Sequence, residues 1–257
     1  MKYLLLCMSV FLFFGVHAID NYSSNETLNV LALSGLKFRD KPDGNVLQTI
    51  PYGSKVVTLE SKNFNYPKTV EGIKGAWVKV NFSGNVGDVF DGFLSSLPAP
   101  SLSDKNLRTY VIREFRAISN EIPLSFLKNN ELGESGSNVL FLEWKNQKCA
   151  YEESFYYEGG GESLCIPGVS MEEAYLLMRI IERDTYKETL DVLNNENIDL
   201  RPYNQFVLNG ISYETLDNGS VIENKDYYTC ELYMGCEYGL TIVRHNGYVI
   251  INVGGGC

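Results

Sequence analysis

From Leu28 to Leu94 the chain is cut into strand-length pieces, and this segmentation constrains its fold more than any other feature. The runs "NVLALS", "LKFRD", "VLQTI", "KVVTLES", "AWVKVNF" and "VGDVF" are all seven residues or shorter and rich in Val, Leu, Ile and Phe. Turn residues separate them at Pro42-Asp43-Gly44, Pro51-Tyr52-Gly53 and Ser83-Gly84. Several short strands at this spacing predict a small all-β barrel or sandwich.

The first of these turns lies within "SGLKFRDKPDGN" (34–45). Asp40, Asp43 and Gly44 share part of a calcium loop's spacing, but its alternating D-x-D-x-D-G ligands and closing Glu are missing. Turn chemistry accounts for the residues instead. Pro42 fixes φ, Asp43 bonds its local backbone and Gly44 accepts positive φ. Arg39 is placed to pair with Asp40 or Asp43, a surface contact of small energy.

The same residues belong to a longer collinear pattern. It runs Ser34-Gly35-Leu36-Lys37-Phe38-Arg39, Pro42, Val46, Ile50, Gly53 and Val56, then Trp77, Val80, Gly87, Val89 and Leu94. This segment, about a quarter of the chain, resembles the bacterial SH3 (SH3b) domains. The resemblance implies an all-β SH3-like barrel over residues 19–98 that engages cell-wall peptide or an extracytoplasmic protein. Two departures fall where such domains bind ligands. Asp88 stands where the family usually has an aromatic residue, and the insertion "SKNFNYPKTVEGIK" lengthens the loop before Trp77.

Strand alternation in "AWVKVNF" puts Val78, Val80 and Phe82 on one face and Trp77, Lys79 and Asn81 on the other. The aliphatic set is the better core, so Trp77 points away from it, beside Phe64 and Tyr66 of the insertion. Either these aromatic residues form a binding platform, or the insertion folds back and Trp77 only anchors it. Phe64, Tyr66, Trp77 and Asp88 are the candidate ligand-binding residues.

Charge separates this segment from the rest. Residues 19–98 hold 8 Lys/Arg against 8 Asp/Glu, whereas residues 99–257 hold 13 against 24, a net of 13 − 24 = −11. Such asymmetry predicts two units, and the acidic half repels nucleic acid and anionic lipid. The break is visible in "LPAPSLSD", where Pro98 and Pro100 stop regular structure. A linker is expected at residues 99–103, followed by an acidic α+β domain with an antiparallel sheet over 104–257.

In that second unit Ser170-Met171-Glu172-Glu173 is a capping box. Ala174, Leu177, Met178 and Ile181 follow at helical spacing, predicting a helix with one buried face. Tyr186, Leu190 and Leu193 suggest a second helix, and Leu107, Val111 and Phe115 one after the linker. "NVLFLEWKN" and "FVLNGISYE" read as strands, and "GLTIVRHNGYVIINVG" as a hairpin around Asn246-Gly247.

Catalysis is not expected. Beyond the first 18 residues one histidine remains, His245, too few for a typical zinc amidase or peptidase site. No cysteine opens a predicted helix, as a thiol nucleophile would. The acidic cluster "EESFYYEGGGE" (Glu152, Glu153, Glu158, Glu162) has the residues for a glycosidase pair, but such clusters are usually solvated strand faces. The expectation is a non-catalytic binding protein with no metal and no cofactor. The alternatives are a peptidoglycan hydrolase targeted by the SH3b-like unit, or an inhibitor or scaffold for a basic envelope enzyme.

The chain opens "MKYLLLCMSVFLFFGVHAID", with a charge at Lys2, an apolar run from Tyr3 to Val16 and a small-residue site ending at Ala18. This is the layout of a secretory signal peptide over 1–18. It predicts an exported mature chain, periplasmic or extracellular, with no membrane insertion after cleavage. Export permits disulfides. Five cysteines would remain (Cys149, Cys165, Cys230, Cys236 and Cys257), so at least one stays unpaired or intermolecular. A two-residue turn at Asn246-Gly247 makes paired residue numbers sum to 493, which sets Cys236 opposite Cys257. At a non-hydrogen-bonded position their Cα atoms would lie about 4.5 Å apart, at the short end of the disulfide span. Cys236–Cys257 is therefore the candidate bridge, with Cys230–Cys236 and a bulge at Gly254-Gly255-Gly256 as its competitors.

Overall fold

The computed structural model describes residues 22–62, 67–71, 73–129, 133–156, 159–182, 207–209, 212–215, 221–224, 227–233, 237–245 and 247–256. The leader, Phe64, Tyr66, Glu158, the expected helix around Leu190, Cys236 and Cys257 lie outside the described residues. The protein is predominantly β, built on antiparallel sheets, and among the described residues none of them closes into a barrel.

The first sheet comprises β1 (Thr27–Val30), β2 (Leu36–Arg39), β3 (Val46–Ile50), β4 (Lys55–Thr58), β5 (Pro67–Val70), β6 (Ile73–Phe82), β7 (Asn85–Phe90) and β8 (Leu94–Ser95). Its order is β3-β2-β7-β6-β4-β1-β8, with β5 pairing β6 to the side. The strands fall near the short runs that predict them, except that β1 ends at Val30 instead of running on to Ser34, and β5 and β8 are additions. Part of the insertion is not a loop: Pro67–Val70 pairs with the lengthened start of β6, from Pro67↔Ala76 to Val70↔Ile73. Leu28, Val30, Leu36, Phe38, Val78, Val80 and Val89 are buried on the inner face as the core of this unit.

The turn residues act as expected, with one exchange of roles. At Ser83-Gly84 both residues take positive φ (51° and 85°), the geometry that two-residue hairpins favour. In the Pro42-Asp43-Gly44 turn, however, Asp43 rather than Gly44 takes positive φ, at 54°. Gly44 is needed for space instead, because a Cβ there would run into the Asp40 carboxylate and Lys41. Arg39 pairs with neither acid, and its Nη1 donates to the Gly44 carbonyl.

The second unit begins with α1 (Leu107–Glu114), capped by Asn106, whose side chain accepts from Thr109 N at 2.9 Å. The strands that follow before the next helix are β9 (Arg116–Ala117), β10 (Ile122–Asn129), β11 (Gly133–Trp144), β12 (Gln147–Tyr156) and β13 (Gly159–Pro167). Helix α2 (Met171–Ile181) then precedes β14 (Val207–Asn209), β15 (Ser212–Thr215), β16 (Val221–Asn224), β17 (Tyr227–Tyr233), β18 (Glu237–His245) and β19 (Tyr248–Gly256). The main sheet runs β10-β11-β12-β13-β19-β18-β17-β14, with β9 beside β11, while β15 and β16 form a separate pair. "FVLNGISYE" thus holds two strands that join different sheets, not one.

The last hairpin keeps its expected register throughout. His245 faces Tyr248, Ile242 faces Ile251 and Glu237 faces Gly256. The glycine run does not interrupt the ladder, and Leu240, Ile242, Ile251 and Val253 are buried on one face.

Helix α2 departs most from its sequence reading. Its capping box forms, with Ser170 Oγ accepting from Glu173 N at 3.0 Å and Glu173 Oε2 accepting from Ser170 N at 2.9 Å. The predicted face of Ala174, Leu177, Met178 and Ile181 enters the core of the second unit. Leu176 and Ile180 enter the core of the first. A helix apolar on more than one side is a buried helix, and α2 lies between the two sheets. Glu173 serves both: its other oxygen, Oε1, accepts from Ser95 Oγ at 3.0 Å and Ser96 N at 2.6 Å. Each of Leu176 and Ile180 contributes roughly 1.5–3 kcal/mol by burial, so the seating of α2 on the first sheet is held by apolar contact as well as by Glu173.

Candidate functional site

Trp77 lies on the face of β6 opposite Val78 and Val80. The register extends that outer face across three strands, because Trp77 pairs with Phe90, Lys79 with Asp88, and Asp88 with Arg39. This face is not bare. Leu176 and Ile180 of α2 come down on it, and they enclose with Trp77, Phe90, Phe93 and Leu31 the floor of a cavity of about 590 Å³. Trp77 is 6% exposed, and Phe90 and Phe93 meet edge to face with ring centres 5.6 Å apart. Gly92 permits that arrangement, since a Cβ there would collide with the Phe90 ring.

The rim is charged, and unevenly so. Lys37, Arg39, Lys68 and Arg179 line the cavity against a single carboxylate, Glu71, among the described residues. Counting Asp43, which binds Lys68 from just outside, still leaves two cations in excess, 4 − 2. Arg179 of α2 reaches Glu71 of the β5–β6 turn at 2.8 Å. Arg39 Cζ and Lys68 Nζ lie 5.6 and 5.2 Å from the centre of the Trp77 ring, both in cation–π range. Lys68 holds the Asp43 carboxyl below its ordinary range, and Trp77 and Arg39 lower it further. Among the described residues buried Arg39 Nε has no hydrogen-bond partner, and buried Trp77 Nε1 lies near the Asp43 carboxylate without completing a hydrogen bond to it.

Beneath this site a buried cluster fixes the floor. Asp91, at the 3₁₀ turn Asp91–Phe93, accepts from Tyr22 Oη at 3.0 Å and from Ala76 N at 2.7 Å, and pairs with Lys62 Nζ at 2.6 Å. Lys62 also sits 5.4 Å from the centre of the Tyr22 ring. Burial first, and then the Asp91 charge, push the Tyr22 hydroxyl far above its ordinary value, so it remains a donor.

The sequence candidates fall unevenly around this geometry. Trp77 lies in the cavity. Phe64 and Tyr66 lie outside the described residues, so the aromatic partners seen here are Phe90 and Phe93. Asp88 shares the outer face with Trp77 but does not line the cavity. It is 4% exposed, 3.6 Å from Lys79, and burial raises its carboxyl while Lys79 partly offsets the rise. Leu176 and Ile180 carried one sequence signal, as apolar positions of α2 outside the predicted face, and Arg179 carried none.

Two acids of the sequence cluster, Glu162 and Glu153, are engaged in the architecture of the second unit. Glu162 accepts from the backbone N–H groups of Leu107 and Arg108, both at 3.1 Å, and from Tyr151 Oη at 2.6 Å. It thereby caps the start of α1 from a neighbouring strand, where a carboxylate suits the helix dipole. Glu153 pairs with Arg108 at 2.7 Å, and Arg108 also binds Glu121. Cys149 and Cys165 carry free thiols. Cys165 pairs in register with Ala150, so Cys149, one position away, faces the other side of the sheet. Burial pushes the Cys149 thiol up to about 11 and also raises Cys165. Among the described residues no three His, Cys, Asp or Glu side chains converge as metal ligands. Set against protein-family models, curated proteins and solved structures, the chain matches none of them.

Proposed function

We propose that this chain is an exported, non-catalytic binding protein whose first unit, an SH3b-like module built on an open antiparallel sheet, engages cell-wall peptide or an extracytoplasmic protein partner at the Trp77 cavity. The cavity is the observation that carries the reading. Its volume of about 590 Å³ falls within the roughly 300–1,000 Å³ of small-molecule and peptide sites. An aromatic and aliphatic floor gives binding energy through desolvation, and a few rim charges orient what is bound. Those charges are cationic in a chain with a formal net charge of −10. Cell-wall peptides and protein termini both carry carboxylates that such a rim attracts. The SH3b-like sequence pattern supplies the class of partner, and the leader-like N-terminus supplies export.

Recovery of the mature chain on peptidoglycan sacculi tests this. Wild type is expected to be retained, with Trp77→Ala and the exposed-site variant Lys37→Glu both reduced at least several-fold. Circular dichroism on each variant separates lost binding from lost folding. Equal recovery of all three folded proteins removes the cavity from the interaction. No recovery of wild type moves the search to a protein partner. Muropeptide release that disappears in a Glu152/Glu158 double substitution overturns the non-catalytic assignment.

A further inference from the structure

We infer that the Trp77 cavity recognises the free carboxyl terminus of a peptide that ends in an apolar residue. The inference rests on the binding reading above and specifies the chemistry of that same site. Tryptophan Nε1 and the arginine guanidinium are donor-only groups. Arg39 Nε is buried in the wall of the cavity with no acceptor among the described residues, and Trp77 Nε1 has only the Asp43 carboxylate near it, without a completed hydrogen bond. A buried donor left unmatched is costly, so the occupant that suits this wall brings acceptor oxygens.

The surrounding charges say which acceptor. Arg179 and Lys68 already hold carboxylates of the chain itself, Glu71 and Asp43. The rim therefore accommodates carboxylate geometry at two points. Lys37 is exposed and has no acidic partner among the described residues. With two cations in excess, the rim matches an occupant of one or two negative charges. The floor sets the rest of the ligand, because Phe93, Leu176 and Ile180 offer no polar side-chain atom. A terminal apolar side chain on that floor with its α-carboxylate toward Arg39 and Lys37 uses both halves of the cavity.

Calorimetric titration of the mature chain with N-acetyl-Ala-Leu as free acid and as C-terminal amide tests the inference. The acid is expected to bind at least tenfold more tightly than the amide. Its affinity should fall several-fold between low and high sodium chloride, as screening of an exposed rim requires. Lys37→Glu should weaken the acid about tenfold and leave the amide unchanged. Equal binding of acid and amide, or no binding of either at millimolar concentration, overturns the inference. Tight binding of decanoate without binding of the peptide acid also overturns it, by moving the carboxylate from a peptide to a lipid acid. Recovery on sacculi with equal acid and amide binding leaves the proposed function standing and removes only the carboxylate. Acid selectivity without such recovery keeps the carboxylate site and moves its source from cell-wall peptide to the C-terminus of a protein partner.

Discussion

The two units of this protein use their charges in opposite ways. The first is neutral, with 8 cations and 8 acids over residues 19–98, yet it gathers three of the four cavity cations, Lys37, Arg39 and Lys68, at one site. The second carries a net of −11 over residues 99–257, but its central acids serve helix starts and arginine pairs. Glu162 caps α1, Glu153 holds Arg108, and Glu173 caps α2 and reaches the first sheet. Net charge is therefore a poor guide to where a ligand binds. What matters is whether a charge has already found its structural partner.

The comparison breaks most severely at Asp91. Asp91→Ala removes the carboxylate that faces buried Lys62 and leaves Tyr22 Oη and Ala76 N without this acceptor. A loss of about 3–5 kcal/mol is expected, the range for a buried pair with one member removed. Urea denaturation would measure it, and a change below about 1 kcal/mol would show that water replaces the carboxylate.

A bond between Cys236 and Cys257, which lie outside the described residues, would sharpen the second unit at its end. The register is unbroken from His245↔Tyr248 to Glu237↔Gly256, and one further step of the same numbering would set these two residues opposite each other. Closing that loop is expected to contribute roughly 3 kcal/mol. Non-reduced peptide mapping should yield a Cys236–Cys257 peptide. A Cys230–Cys236 peptide or a free Cys257 in exported protein would sink this pairing.

Glu173→Ala tests the seam between the units. It removes a cap worth about 1 kcal/mol and the acceptor for Ser95 and Ser96, so a total near 2–3 kcal/mol is expected. Because α2 supplies Leu176, Arg179 and Ile180 to the cavity, weaker peptide binding should accompany the loss of stability. Unchanged binding would show that apolar contacts alone seat the helix.

The smallest effect concerns Asp88 and carries a definite sign. Its folded carboxyl is raised mainly by burial, so the ionised form opposes folding at neutral pH and protonation relieves that cost. Asp88→Asn should therefore melt slightly higher than wild type at pH 7. That advantage should shrink as pH falls through the carboxylate range. Thermal melts from pH 7 to pH 4 would show it, and a deficit at pH 7 would mean that Lys79 outweighs desolvation.

Much of the local structure was legible in the sequence. Alternation in "AWVKVNF" assigned Trp77 to the face opposite Val78 and Val80, and Asn246-Gly247 set the register of the final hairpin. The capping box placed the start of α2. The cavity was legible only through Trp77. Phe90, Phe93, Leu176, Ile180 and Arg179 reach it from later parts of the chain, and nothing local marks them as its neighbours.

By itself, then, the sequence determined what depends on neighbours within a few residues: strand periods, turn positions, caps and hairpin register. These follow from backbone sterics and from hydrogen bonds that close over short loops. The tertiary structure alone decided that α2 is buried on two sides and that Asp43 pairs with Lys68 rather than Arg39. It also decided that acids such as Glu162 are spent on helix starts. The physical reason is that burial and charge pairing depend on distance in space. A residue's periodicity says which way it faces, but only the packed fold says what it meets there.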